Sequence, residues 1–167
     1  MPLIDAVLAE FDHELANTRK LLERVPEDKL AFKPHDRSMT LGRLCGHIAE
    51  IPMWGRNILG QDSFDLEEAS GMQPANPETR QELLQLLERN ASILREAAEG
   101  TKDDALMASW SLLKGAEAVV ELPRIAALRS FVLSHVIHHR GQLTVFLRLL
   151  DVPLPALYGP SADDAGF

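Results

Sequence analysis

The amino-acid sequence predicts an all-α fold, a four-helix bundle with long loops that leaves room for a short β-hairpin before the last helix. Four segments repeat their apolar residues every three or four positions, which is the period of an amphipathic helix. Proline and glycine residues separate these segments and mark the loops. The length of 167 residues and the hydrophobic content of 46% predict a single domain over residues 1–167 with one continuous core.

The first two helices are expected in the N-terminal third of the chain. Helix one is predicted over residues 3–24, and a loop that contains two prolines follows to residue 39. Thr40 can cap the start of helix two, which is predicted over residues 40–59. Pro52 removes one backbone donor within that helix, so we expect either a kink or a change of direction there.

The third helix is expected after an acidic loop over residues 60–74. Asn76 can cap a helix, and the proline that follows suits the first helical position. These signals predict helix three over residues 77–99, with Gly100 after its end.

The C-terminal half contains one long helix between less regular segments. Residues 106–122 contain a glycine among alternating small and apolar residues, and predict two short extended pieces or a loop. Pro123 can open the last helix, which is expected to end near Asp151 before two further prolines. The tail, residues 154–167, is rich in proline, glycine and small polar residues, and we expect it to lie irregularly across the bundle.

Composition excludes several classes of function. The formal net charge of −8 and the pI near 5.2 oppose binding to nucleic acid, whose phosphates attract Lys and Arg. No apolar run approaches the roughly 20 residues that cross a membrane, and acidic residues near the N-terminus are unlike a secretory signal, so a cytoplasmic location is expected. Cys45 is the only cysteine, which excludes an intrachain disulfide and a thiolate metal cluster.

Three histidines form a candidate metal site. His135 and His139 are four residues apart and therefore lie on one face of the last helix, whereas His138 points elsewhere. His47 lies on the apolar face of helix two. Neutral imidazoles bind nickel, zinc, iron or copper. The alternative is that each core-facing histidine only satisfies neighbouring polar groups by hydrogen bonding.

Two longer stretches give the sequence a family resemblance. Residues 135–143 read HVIHHRGQL and are followed by LLDVPLP at 149–155 and YGP at 158–160. In helix two, LGRLCGHIAE at 41–50 follows KP at 33–34. Together these segments resemble DinB-like proteins over nearly the whole chain. The resemblance implies a four-helix bundle, often a homodimer, with one divalent metal (nickel, zinc or iron) on His47, His135 and His139.

The resemblance also suggests an activity. The wider DinB-like superfamily includes metal-dependent transferases that use low-molecular-weight thiols such as mycothiol or bacillithiol. A thiol S-transferase that acts on a small-molecule substrate is therefore the first hypothesis for an enzyme. A metal-dependent hydrolase and a non-catalytic metal-binding protein of the stress or damage response are the alternatives. Val136 stands where His-Glu-x-x-His peptidases have their general base, which argues against a thermolysin-like peptidase.

Several residues near the histidines have roles that the sequence leaves open. Trp54 lies about two turns after His47 on the same helix face, and Trp110 and Tyr158 lie in segments that could fold over the open side of a metal. Packing in the core is the alternative for the tryptophans.

Three further residues lie close to the histidines along the chain. Arg140 and Gln142 flank His139 and could orient a ligand, bond the tail or face a dimer partner. Cys45 is about 200° around the helix from His47 and is expected to face away from the metal as a small buried residue.

Overall fold

The computed structural model of the chain describes residues 1–71 and 73–166, and 58% of the chain is helical. A three-stranded sheet, a 3₁₀ turn and a π-helical segment complete the regular structure. The α-helices are α1 (Leu3–Leu22), α2 (Leu41–Glu50), α3 (Pro52–Gly60), α4 (Leu66–Ala69), α5 (Arg80–Ala98), α6 (Asp103–Met107), α7 (Arg124–Leu128) and α8 (His135–Leu149). The other elements are the 3₁₀ turn Glu27–Lys29, the strands β1 (Ser63–Asp65), β2 (Ser109–Lys114) and β3 (Glu117–Pro123), and the π segment Arg129–Ser134.

The first two predicted helices are confirmed, and the break in the second is located. α1 ends two residues before the predicted boundary. The Thr40 side chain accepts a hydrogen bond from the backbone N–H of Arg43 at 3.1 Å and so caps α2. α2 ends at Glu50, and Pro52 occupies the first turn of α3, where its missing donor costs no helical hydrogen bond. The predicted helix two is therefore two helices.

Helix α5 begins later than the Asn-Pro signal predicted. Its N-cap is Thr79, whose side chain accepts from the backbone N–H of Glu82 at 3.1 Å, while the Glu82 carboxylate accepts from the N–H of Glu78 at 2.9 Å. This reciprocal arrangement satisfies two free amides at once. It explains why the helix starts at Arg80 instead of Pro77.

The last predicted helix has the expected extent but contains an unpredicted π segment. α7, Arg129–Ser134 and α8 follow one another without a break. The wider turn shifts the register just before His135, where α8 begins. π-helical turns within α-helices are rare and occur frequently at functional sites.

A small three-stranded sheet accompanies the helices, so the fold is mostly helical and not purely α. β2 and β3 form the antiparallel hairpin that the sequence allowed, with Trp110 opposite Leu122. β1 pairs with β2 in parallel, with Ser63 opposite Ser111, although this stretch was predicted as loop. β1 has three residues and no apolar alternation, so its strand conformation depends on pairing with a segment distant in sequence.

The helices pack around one apolar core, but not as a strict four-helix bundle. α5 contacts α1, α2 and α3, and α8 contacts α1 and α2. Gly55 permits close packing of α3 on α5, because a Cβ there would lie 2.3 Å from a side-chain carbon of Leu94. The division at Pro52, the short helices α4 and α6 and the sheet are additions to the predicted bundle. None of the described helices combines the length and apolar character needed to cross a membrane.

The tail has neither helix nor strand over residues 152–166, as predicted. Arg24 donates to the backbone oxygen of Pro153 at 2.8 Å, and Arg148 pairs with Asp163 at 2.6 Å. Side-chain bonds therefore fix the tail against α8 and against the turn that follows α1.

Candidate metal centre

The fold brings the three predicted histidines together. His47 lies in the last turn of α2, and His135 and His139 lie one turn apart at the start of α8. His47 Nε2 is 3.2 Å from His135 Nε2 and 3.1 Å from His139 Nε2. One ring nitrogen from each residue falls within 4.8 Å of the other two, so the three side chains could hold a metal ion.

The spacing of the imidazole nitrogens fits a small ion. Nitrogen ligands at about 2.0–2.1 Å from a tetrahedral zinc ion lie about 3.3 Å from one another. The Nε2 separations of 3.2 Å (His47 to His135) and 3.1 Å (His47 to His139) are close to that value. Within residues 1–71 and 73–166, the cluster that could hold an ion offers three imidazole nitrogens and no thiolate or carboxylate. Such a set suits borderline divalent transition metals.

Gln142 orients the ring of His139. Gln142 Oε1 lies 2.8 Å from His139 Nδ1, and because an amide oxygen only accepts, Nδ1 carries the proton and donates. The Nε2 lone pair of His139 is then free to face the other two rings. The amide nitrogen of Gln142 lies 3.1 Å from His138 Nε2 and can donate to it. Gln142 therefore selects the tautomer that metal binding requires.

A carboxylate lies beside His47, but other groups already hold it. Glu50 Oε2 is 4.0 Å from His47 Nδ1, which is too long for a hydrogen bond. The same oxygen accepts from Arg43 at 2.9 Å, and the other carboxylate oxygen accepts from the backbone N–H of Ala75. Gly46 allows this loop to approach, since a Cβ there would lie 2.8 Å from the Ala75 oxygen.

His135 has an unsatisfied nitrogen. Its Nδ1 is buried and has no hydrogen-bond partner among residues 1–71 and 73–166. The backbone oxygen of Phe131, in the π segment, acts to raise the pKa of His135, but it is not placed to accept a hydrogen bond from Nδ1. Buried polar atoms without partners are uncommon, and here the atom belongs to a ring that faces two other imidazoles.

The surroundings keep the three rings neutral. Burial, reinforced by the nearby His139 and His135 rings and by Arg43, lowers the pKa of His47 from 6.5 to about 4. Burial also lowers the pKa of His135, with a further contribution from His139. The pKa of His139 is lowered by burial, which outweighs the opposing hydrogen bond to Gln142. A neutral imidazole is the form that binds metal, so less proton release is needed when an ion binds.

The other residues named from the sequence lie in two groups. Trp54 stacks on Phe131, with ring centroids 5.6 Å apart, and so lies near the start of α8, while Trp110 is fully buried and also packs on Phe131. Tyr158 and Arg140 bond each other and Glu14 of α1. Of the roles left open for Arg140, the structure supports bonding to the tail.

Two residues near the histidines were not recognised from the sequence. Glu50 follows His47 by three positions, and Phe131 precedes His135 by four, so helical spacing could have identified both. Cys45 is fully buried in the core, as predicted, and burial raises the pKa of its thiol to about 12.

Comparisons with known proteins identify a family and a relative of similar length. The sequence profile of the DinB family matches residues 4–165. The uncharacterized protein YrdA of Bacillus subtilis (strain 168) is 24% identical over 162 residues, which cover 96% of this chain and 91% of YrdA.

Two solved structures show the same fold. A DinB-like protein from Bacillus cereus ATCC 10987 has a TM-score of 0.73 at 20% identity, and the similarity covers 92% of this chain and 97% of that one. The DinB-like protein YjoA from Bacillus subtilis has a TM-score of 0.67 at 20% identity, covering 89% and 96%.

Proposed function

Because the chain belongs to the DinB family, we propose that it binds one divalent transition metal ion through His47, His135 and His139 and acts as a thiol S-transferase. The observation that carries the proposal is the convergence of the three Nε2 atoms, two of them within 3.2 Å of the third. Nickel, zinc and iron are compatible with this donor set. A bound ion would supply a Lewis acid that lowers the pKa of a coordinated thiol.

The residues around the histidines favour activation of a thiol over activation of water. A hydrolase of this kind needs a carboxylate or histidine free to accept a proton. Both oxygens of Glu50, the carboxylate beside His47, accept hydrogen bonds from Arg43 and Ala75. A thiol has a far lower intrinsic pKa than water and needs less help from a protein base.

The thiol is expected to come from outside the protein. Cys45 is the only cysteine, is fully buried, and has a pKa raised to about 12. Its sulfur therefore cannot act as the nucleophile. The proposed cosubstrate is a low-molecular-weight thiol that reaches the solvent side of the histidines.

Metal content of the purified protein tests the ligand assignment. His47→Ala, His135→Ala and His139→Ala should each lower the affinity for Zn²⁺ by more than about 100-fold, since losing an outer partner of a metal ligand already costs 10–100-fold. His138→Ala is the matched control on the same helical turn and should retain metal. Elemental analysis and isothermal titration give the readout. Near-stoichiometric metal in two or more of the first three variants would contradict the assignment.

A cobalt-substituted protein tests the role of the thiol. Adding cysteine, glutathione, bacillithiol or mycothiol should produce a sulfur-to-cobalt charge-transfer band, because a thiolate is a soft ligand for the ion. Conjugation of the same thiol to an electrophile should then require metal. If no thiol perturbs the spectrum of a loaded protein, the S-transferase proposal fails and metal binding alone remains. The homodimer and the cytoplasmic location expected from the sequence stay predictions.

A further inference from the structure

A groove lies between α2, α8 and residues 37–39, close to the histidines along both helices. It has a volume of about 410 Å³, and its walls include Leu44 and Gln142. Leu44 precedes His47 by three residues, and Gln142 follows His139 by three and bonds it. The groove therefore begins one helical turn from two of the three histidines. From His139 to Phe146, which also lines the groove, an α-helix rises about 10 Å.

Apolar side chains form the floor and the walls of this groove. Leu44 and Phe146 are buried beneath it. Met39 and Val145 border it and remain 38% and 57% exposed, respectively, so their apolar surface faces solvent. Small-molecule sites are mostly apolar with a few placed polar groups, and Gln142 at the histidine end is such a group.

A positively charged side chain also lines the groove. Arg37 lines it, is exposed, and makes no ion pair within the part of the chain that the structure describes. The chain as a whole carries a formal charge of −8. The unpaired guanidinium of Arg37 therefore places a local positive charge beside the apolar groove. Arginine binds carboxylates in a planar, two-bond geometry.

We propose that this groove binds the organic substrate of the histidine site and that this substrate is a small amphipathic carboxylic acid. Its apolar part lies on Leu44 and Phe146, its carboxylate pairs with Arg37, and its other end reaches Gln142 beside His139. Its α8 wall runs from Gln142 to Phe146, a helical rise of about 6 Å, so the molecule is small. Only the statement that the bound molecule reacts at the histidines rests on the proposed function.

Titration of the full-length purified protein with hexanoate tests the groove. The readout is the ¹³C resonance of the Met39 methyl group, assigned with Met39→Leu. Met107, which is 59% exposed on α6, is the internal control outside the groove. Hexanoate should shift the Met39 signal in a saturable way and bind about 5-fold more tightly than hexan-1-ol, because an exposed charge pair contributes at most about 1 kcal/mol. Hexylammonium should bind more weakly than hexan-1-ol.

Variants identify the carboxylate partner. Arg37→Gln should reduce the affinity for hexanoate to that for hexan-1-ol, and Arg89→Gln, which removes an exposed arginine outside the groove, should leave the preference unchanged. The proposal is overturned if Met39 shows no saturable shift, if Met107 shifts equally, or if Arg37→Gln retains the preference for hexanoate. This readout needs neither metal nor turnover. Failure of the groove therefore leaves the metal assignment intact, and loss of metal binding leaves the titration valid.

Discussion

His139 and Arg140 are neighbours in α8 and belong to two different polar clusters. The clusters differ in whether the protein itself completes their hydrogen bonds. Arg140 and Glu14 form an ion pair at 2.5 Å with side chains that are 2% and 6% exposed. Arg140 also donates to the Glu14 backbone oxygen at 2.9 Å and to Thr18, and Tyr158 donates to the Glu14 carboxylate at 2.6 Å. Every charged group in this cluster has a partner inside the chain.

The histidine cluster is incomplete by the same measure. The Nε2 atoms of His47, His135 and His139 face one another, and neutral imidazoles offer too few protons to bond all of these contacts at once. His135 Nδ1 is buried without a partner in the described residues. Adjacent residues of one helix thus belong to two kinds of cluster. The Arg140 cluster satisfies its own polar groups, whereas the three convergent imidazoles could hold a metal ion.

Removing Arg140 should have the largest effect on stability. Arg140→Ala leaves the Glu14 carboxylate buried without its counter-charge, and the free energy of unfolding should fall by about 3–5 kcal/mol. Urea denaturation followed by circular dichroism measures the change. Metal affinity of the folded protein should stay within a few-fold of wild type, since Arg140 bonds α1 and the tail and makes no hydrogen bond to the three histidines.

The double variant Glu14→Leu/Arg140→Met is the control for that prediction. It removes both charges and replaces them with apolar groups of similar size, so most of the lost stability should return. If Arg140→Ala lost less than about 1 kcal/mol, the ion pair would not be effectively buried, and the two clusters would not differ in this way.

Changing Gln142 should have the opposite profile. Gln142→Leu removes the acceptor that sets the His139 tautomer, and metal affinity should fall by about 10–100-fold. Gln142 is exposed, so stability in urea should change by no more than about 0.5 kcal/mol. Gln142→Glu keeps an acceptor at the same place and should bind metal nearly as the wild type does. Equal affinity in the leucine variant would remove Gln142 from the site.

Acidification of the metal-free protein should reveal the contribution of His47 to stability. The pKa of His47 falls from 6.5 in an unfolded chain to about 4 in the native state. The unfolded state takes up the proton first, so this residue makes the protein lose stability as pH falls from about 6.5 to about 4. His47→Asn cannot bind that proton and should lose less stability than wild type between pH 7 and pH 4. Parallel losses in urea denaturation would contradict the lowered pKa.

The sequence predicted the convergence of the three histidines better than the structure around them. His135 and His139 share a helix face through local spacing, and periodicity alone places His47 on an apolar face. β1 pairs with a strand distant in sequence, and no local pattern marks either β1 or the π segment Arg129–Ser134.

The polar residues illustrate the same limit. The sequence left three roles open for Arg140, because its partner Glu14 lies 126 positions away along the chain. The predicted start of α5 was wrong for a local reason. Asn76 and Thr79 both offered capping signals, and the reciprocal arrangement at Thr79 satisfies more amides.

Tyr158 should show the smallest effect and can be observed directly, because it is the only tyrosine. Most of the residue is exposed, but its hydroxyl lies against the buried Glu14. Partial burial of the phenol therefore raises its pKa, and the hydrogen bond to Glu14 raises it further, against the opposing charge of Arg140. A raised native pKa means that this stabilisation is present at neutral pH and is lost as pH rises through the native value.

Absorbance near 295 nm should therefore show Tyr158 ionising at higher pH in the native protein than in urea. Tyr158→Phe keeps the ring against Arg140 but deletes the hydroxyl that bonds Glu14. Because the residue is 63% exposed, the expected cost is about 1 kcal/mol, well below that of Arg140→Ala. Coincident titrations in the two states would mean that the tail does not hold the tyrosine at this cluster in solution, and that Arg140 and Glu14 complete it alone.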